Sequence, residues 1–315
     1  LNTKISNLAL VLSLIISQMA ISQEVNHQHR LDTILPIIEK IKYNRYGSAL
    51  SKMFEIDDKD QQGIFRPSEY RPIYLIPFRW TDRMNRQPQN TNPLRGNPPY
   101  RDFQNVETKF QVSLKTKVWQ DFLGSKGDIW VAFTQQAYWQ VYNGELSRPF
   151  RELNYEPEVM YLIPLNLSAG GFKWRLTGLS LNHQSNGKEH LYSRSWNRII
   201  LMNAFEWGDF MFITRFWRRM SEKKNDNDNP DIIDYVGRAE LNVFYMAKRH
   251  QILFLTRNNL NFKNNRGFGE LTYVHSVGKG GLRLFAQVST GYGDSLIEYN
   301  HKQNTIGVGI MLSSF

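Results

Sequence analysis

From Ile73 onward the chain reads as short strand-like segments separated by turn formers. No segment after residue 22 is long and apolar enough to cross a membrane as a helix. Residues 129–142 show the pattern most clearly. Ile129, Val131, Phe133, Ala137, Trp139 and Val141 fall on one face, and Thr134, Gln136, Tyr138, Gln140 and Tyr142 on the other. An apolar outside with a hydrogen-bonding inside is what a strand crossing a bilayer needs. Comparable segments fall near 72–80, 108–121, 156–166, 171–185, 197–206, 209–218, 232–246, 250–257, 268–275, 280–291 and 303–315. The spacing predicts an all-β fold, an antiparallel transmembrane β-barrel of about twelve strands, an even number that closes without free edges. A terminal aromatic, Phe315, on the strand carrying Ile306, Val308 and Ile310 agrees with this. A soluble β-sandwich is the alternative, because each strand signal is weak by itself.

Composition narrows the setting. Aromatic residues make up 13% of the 315, enough for interfacial girdles on a barrel. The net charge of +10 suits an anionic partner, either nucleic acid or an anionic lipid such as lipopolysaccharide. There is no cysteine, which removes disulfides, thiolate metal sites and thiol nucleophiles. Lys4, the apolar run Leu8 to Ala20, and the small residues Ala20 and Ser22 read as a signal peptide over 1–22. Export argues against nucleic acid as a partner. Residues 23–70 are expected to be a polar periplasmic segment without chemistry, ahead of a barrel domain at 71–315. Residues 84–102, rich in Asn, Pro, Arg and Gln, are expected to form a loop.

One stretch stands apart. In residues 178–185, Leu179, Leu181, His183 and Ser185 share one strand face, and Gly178, Ser180, Asn182 and Gln184 share the other. A His and a Ser thus continue an apolar face. Their Cα atoms would lie about 7 Å apart, close enough for Ser185 as nucleophile and His183 as base. Asn197 keeps parity with Ile199 and Leu201 on the next strand, so it too lies on an apolar face. A neutral amide can hold the imidazole there without placing a carboxylate charge in a low-dielectric setting. Gly187 follows in the turn, where its N–H could approach an oxyanion. The bland alternative is a strand end with ordinary polar residues. Trp174 and Leu176 keep one parity and Leu179 and Leu181 the other, which predicts a bulge near Thr177-Gly178. Gln135, on the apolar face of its strand, either meets a partner subunit or an inserted loop, or lies near enough to the interface to reach water.

The run Asn182-His183-Gln184-Ser185-Asn186-Gly187, followed by Ser193-Arg194-Ser195-Trp196-Asn197-Arg198, resembles the signature of the outer membrane phospholipase A family. Segments in the same order resemble the family too: Pro149 to Glu152, Asn154 to Pro157, Asp228 to Ile232, Gly291 to Ile297 and Gly307 to Leu312. The similarity covers about residue 70 to the C-terminus. It implies a twelve-stranded barrel whose active site lies on the lipid-facing wall, with His183, Ser185 and Asn197 at the catalytic positions. It also implies calcium as cofactor and a homodimer as the active form. Ser193 through its hydroxyl and Lys188 through its carbonyl fall at calcium positions, Ser147 at a position supplied by the partner subunit, and Asp228 at a further one. Lys188 stands where the family often has Arg, and Gln135 matches a polar position at the dimer interface. Without the resemblance, Asp228 reads as part of a solvated loop, since Asn225 to Asp231 is full of turn formers.

The function implied is calcium-dependent hydrolysis of membrane phospholipid acyl esters in the outer membrane, switched on by dimerisation. Two alternatives remain at this point. One is a lipopolysaccharide deacylase; the other is a passive outer-membrane porin.

Overall fold

A computed structural model describes residues 48–247, 249–277 and 281–312. The expected signal peptide, residues 23–47 and Phe315 lie outside the described residues. Twelve long strands follow one another: β2 (Ile73–Thr81), β3 (Val106–Trp119), β4 (Asp128–Trp139), β5 (Phe150–Ala169), β6 (Phe172–Ser185), β7 (Ser195–Trp207), β8 (Phe210–Arg219), β9 (Ala239–Ala247), β10 (His250–Asn258), β11 (Gly267–Ser276), β12 (Leu282–Tyr292) and β13 (Lys302–Leu312). Each pairs antiparallel with its sequence neighbour, and β13 pairs with β2, so the sheet closes on itself. A two-residue strand, β1 (Ser68–Glu69), pairs with β3 at Lys115 and Leu114 and extends the β2 edge beyond the break at Pro72. Each long strand matches a segment read in the sequence, and the described ends differ by at most three residues except at the start of β5, six residues earlier than expected, and of β9, seven residues later.

The wall is built inside out relative to a soluble protein. Val131, Phe133, Val159, Leu179, Leu181, Ile199, Leu201, Ile306 and Val308 are exposed, while Ser113, Thr134, Glu156, Glu158, Ser180, Asn182, Arg198 and Arg215 are buried inside. Lipid is the solvent that accepts such an outer face. Aromatic pairs ring both ends: Phe78 with Tyr142 and Trp139 with Phe150 at one, Trp119 with Phe122 and Phe172 with Phe205 at the other. The end that carries the β5–β6 and β7–β8 turns has short connections; the opposite end carries the long loops, as on the outer side of such barrels.

Ion pairs and hydrogen bonds cross the lumen and leave a cavity between them, lined by Lys109, Arg215, Glu240, Arg257 and Glu270. Glu158 accepts two hydrogen bonds from the Arg215 guanidinium, at 2.9 and 2.8 Å, and one from Ser180 at 2.6 Å. Glu156 takes Arg71 at 3.1 Å and Arg198 at 3.0 Å. Nearer the long loops, Arg79 pairs with Glu107 and Asp294, and Arg151 with Glu107 and Glu298. Buried charges survive in such a place only when each is paired and hydrogen-bonded. The β12–β13 loop folds inward to supply Asp294 and Glu298. The backbone N–H groups of its Leu296 and Ile297 donate to Asn154 at 3.0 Å and to Glu152 at 3.1 Å. Burial alone would raise the Asp294 carboxyl, but the Arg79 guanidinium and Lys109 ammonium beside it bring it down to about 2.

Three local expectations differ. Residues 49–62 are packed, not a bare lead-in. Leu50, Met53 and Phe54 of the helix Ala49–Phe54 join a core with Trp130, Met160, Leu176 and Met202 inside the short-turn end. Glu55 then pairs with buried Lys117 at 3.1 Å. Second, the bulge lies between Trp174 and Leu176, just before Thr177-Gly178. It turns Arg175 and Leu176 inward in succession, so that Arg175 meets Asp57 at 2.6 Å and Leu176 reaches the core. Third, residues 232–235 form a short helix, Ile232–Tyr235, because Ile232 packs into a second core with Trp196, Trp217, Leu296 and Tyr299 at the long-loop end.

Candidate active site

The β6–β7 hairpin positions the site. Its register sets His183 directly across from Asn197 and Ser185 across from Ser195. On both strands these residues keep the parity of the exposed leucines and isoleucines, so they face outward at the long-loop rim. His183 Nδ1 and Asn197 Oδ1 are 2.8 Å apart. An amide oxygen can only accept, so Nδ1 carries the proton and Nε2 is left as the free basic nitrogen. Ser185 lies two residues along the same face. No hydrogen bond among the described residues joins its hydroxyl to the imidazole, a gap that sites often close only on binding substrate.

The loop that follows Ser185 is tied at its base. Asn186, buried inside the rim, accepts from the Arg194 N–H at 3.0 Å and donates to the Tyr192 carbonyl at 2.8 Å. Gly187 next to it has φ of 63°, a left-handed conformation that only glycine takes without strain. A Cβ added there would come to 3.1 Å from the Tyr155 ring, which stands across from Ser185 on β5. Lys188 turns its ammonium to Glu152 at 3.0 Å. Through Glu152, the segments 149–152, 186–188 and 291–297 meet in one place, although the sequence separates them widely.

The expected calcium residues are partly assembled. The Ser193 hydroxyl donates to Asp228 Oδ2 at 2.5 Å, and Ser195 Oγ reaches the same oxygen at 3.4 Å. Asp228 is buried, and its other oxygen pairs with Arg95 at 2.9 Å. A hydroxyl and a carboxylate converging this way are hard oxygen donors, which fit calcium. The solvated-loop alternative for Asp228 does not hold. No hydrogen bond among the described residues joins Ser147 to Ser193 or Asp228; Ser147 lies in the β4–β5 loop, its N–H on the Gly144 carbonyl at 3.0 Å. Gln135 faces outward on β4 between Val112 of β3 and Tyr155 of β5.

Sequence reasoning missed Asn186 as the brace of the loop, although it stands inside the recognised run. It also missed Glu222, which accepts from Asn197 Nδ2 at 3.2 Å. No periodicity points to Glu222, since it lies past the end of β8 among charged and turn-forming residues.

Comparison with known proteins agrees with this geometry. The phospholipase A1 family model matches residues 50–312, which extends the similarity inward to the helix under the barrel. A provisionally named phospholipase A1 of Neisseria meningitidis serogroup B is 38% identical over 275 residues, 84% of this chain and 70% of that protein. The solved structure of outer membrane phospholipase A from Escherichia coli superposes with a TM-score of 0.72 at 30% identity, covering 84% of this chain and 98% of that one. The Salmonella typhi outer membrane phospholipase, solved as a dimer with bound calcium, gives 0.71 at 31% identity, covering 80% and 94%. Closed barrel, apolar wall and matched sequence together make this chain an outer-membrane β-barrel that belongs to the phospholipase A1 family.

Proposed function

We propose that the protein is a calcium-dependent phospholipase A that cleaves acyl esters of membrane glycerophospholipids with Ser185, His183 and Asn197. The observation that carries this reading is the 2.8 Å contact between His183 and Asn197 on the outer wall, with Ser185 two residues on. Ser185 Oγ attacks the ester carbonyl carbon while His183 Nε2 takes its proton. The Gly187 N–H stands on the adjoining turn to meet the oxyanion. As the tetrahedral adduct collapses, the lysophospholipid alkoxide leaves with the proton from His183. Water, deprotonated by the same nitrogen, then releases the fatty acid. Ser193 and Asp228, with the Lys188 carbonyl, would hold calcium, which supplies positive charge near the developing oxyanion.

The dimer belongs to the same reading. Gln135 is an amide set among the outward apolar side chains Val112, Val131 and Phe133, and a partner's amide is what satisfies it in hydrocarbon. Ser147 would complete the cation site of the other subunit, so a lone barrel would be idle. The passive-porin alternative needs an open lumen, and the ion-paired interior argues against it. The test is phospholipid hydrolysis in detergent, with calcium or with chelator, by the wild type and by Ser185→Ala. Hydrolysis is expected only for the wild type with calcium. Undiminished hydrolysis by Ser185→Ala, or by the wild type in chelator, overturns the reading.

A further inference from the structure

The Asn197 carboxamide has two ends that are nearly the same shape and opposite in hydrogen bonding. With Oδ1 toward the imidazole, His183 carries its proton on Nδ1 and offers Nε2 as a base. Rotated by half a turn, the amide would present N–H groups instead. Nδ1 would then have to accept, Nε2 would carry the proton, and Ser185 would have no base. Something must choose between the two. Asn197 Nδ2 donates to Glu222 Oε1 at 3.2 Å. A carboxylate can only accept, so it holds the N–H end of the amide to itself and leaves the oxygen end to His183.

Glu222 is itself held. Its other oxygen takes Arg219 Nη2 at 2.7 Å, and both side chains are largely buried, at 14% and 10% exposure. The same guanidinium donates to Asn227 Oδ1 at 2.6 Å and to the Asn229 carbonyl at 2.8 Å, the two residues that flank Asp228. The Met220 N–H donates to the Asn197 carbonyl at 2.8 Å, so β8 reaches just far enough to deliver Glu222 to the site. One arginine therefore grips the loop that carries Asp228 and the acid that orients the catalytic amide.

We propose that Glu222 is a positioning residue: its carboxylate selects the productive orientation of Asn197, and Arg219 couples that carboxylate to the loop around Asp228. The proposal rests on the Ser185–His183–Asn197 reading above and adds to it a residue that does not touch substrate. A residue with this role affects turnover and not substrate binding, and it acts only through Asn197.

The experiment measures kcat and KM for phospholipid hydrolysis in calcium-containing detergent micelles. The proteins are the wild type, Ser185→Ala, Asn197→Ala, Glu222→Ala, Glu222→Gln, Arg219→Ala and the Asn197→Ala/Glu222→Ala double variant. The gel-mobility shift of the folded barrel reports folding for each. Glu222→Ala is expected to lower kcat at least tenfold with KM within twofold, and Arg219→Ala to reproduce a large part of that loss. Glu222→Gln has one acceptor oxygen for two donors, Asn197 Nδ2 and Arg219, so it is expected to lower kcat in the same direction as Glu222→Ala, with KM within twofold. In the Asn197→Ala background, Glu222→Ala should cost nothing more. A wild-type kcat for Glu222→Ala, a loss confined to KM, or a loss that multiplies with that of Asn197→Ala overturns the proposal. If Glu222→Ala does not fold, a Glu222→Gln variant with wild-type kcat overturns it. An active Ser185→Ala, by contrast, defeats the underlying mechanism, whatever Glu222 does.

Discussion

Gly187→Ala tests the oxyanion assignment with a single methyl group. At φ of 63° the residue sits where an L side chain costs about 1–2 kcal/mol. The new Cβ would also stand 3.1 Å from Cε2 of Tyr155, closer than a methyl and a ring carbon prefer, so ring or backbone must yield by a few tenths of an ångström. Neither term threatens a barrel whose strands are fully paired. Both are relieved most easily by rotating the peptide between Asn186 and Gly187, which carries the N–H assigned to the oxyanion. Losing one such donor typically lowers kcat by about a hundredfold to a thousandfold. Gly208 makes the control: its φ is 58°, nothing lies near its missing Cβ, and it occupies the β7–β8 turn at the opposite rim. Gly208→Ala should carry similar backbone strain and leave kcat unchanged. The assay is initial-rate hydrolysis in mixed micelles on protein shown to be folded by gel mobility. A Gly187→Ala enzyme with kcat within twofold of the wild type would refute the assignment of that N–H.

Two further predictions concern the interior of the barrel. Asp294 is held at about 2 against an ordinary 3.8, a depressed carboxyl, so its contribution is present above about pH 4 and lost as pH falls toward 2. That difference corresponds to roughly 2 kcal/mol. Urea midpoints should therefore drop between pH 4 and pH 2 more steeply for the wild type than for Asp294→Asn, and parallel curves would contradict the account. Leu50→Ala removes a fully buried side chain from the core beneath the barrel and should lower stability by about 2–5 kcal/mol. An unchanged urea midpoint would mean that the helix Ala49–Phe54 contributes no stability to the folded barrel.

The strands were legible because alternation is a local signal repeated twelve times, and lipid outside makes the apolar face hard to miss. The helix Ala49–Phe54 was not, for the opposite reason. Six residues are too short to show a helical period, and the partners that justify them are distant: Glu55 with Lys117, and Asp57 with Arg175. The bulge shows the limit of parity arguments. Parity required one extra residue between Trp174 and Leu179, but its position depends on Asp57 and on the core beneath, which the strand itself does not record. The run Ile232-Ile233 failed similarly, since an apolar pair fits a strand or a one-turn helix equally well until Trp196 and Trp217 are in place.

The site was legible to the extent that it is a consequence of strand register. His183 and Asn197 are fourteen positions apart in sequence and directly opposed in the β6–β7 ladder. A slip of one residue would set His183 against Trp196 or Arg198, both of which point into the lumen, and the imidazole would lose its amide. Register is fixed elsewhere on the same two strands, by Leu179 and Leu181 opposite Leu201 and Ile199 outside and by Arg198 of β7 donating to Asn182 of β6 at 2.6 Å within. The outward pair is thus held by contacts on the inward face. Glu222 has no such anchor in the ladder. It comes from beyond the end of β8, brought to Asn197 by the Met220 N–H on the Asn197 carbonyl and held there by Arg219, so its role could be read only once the loops were placed.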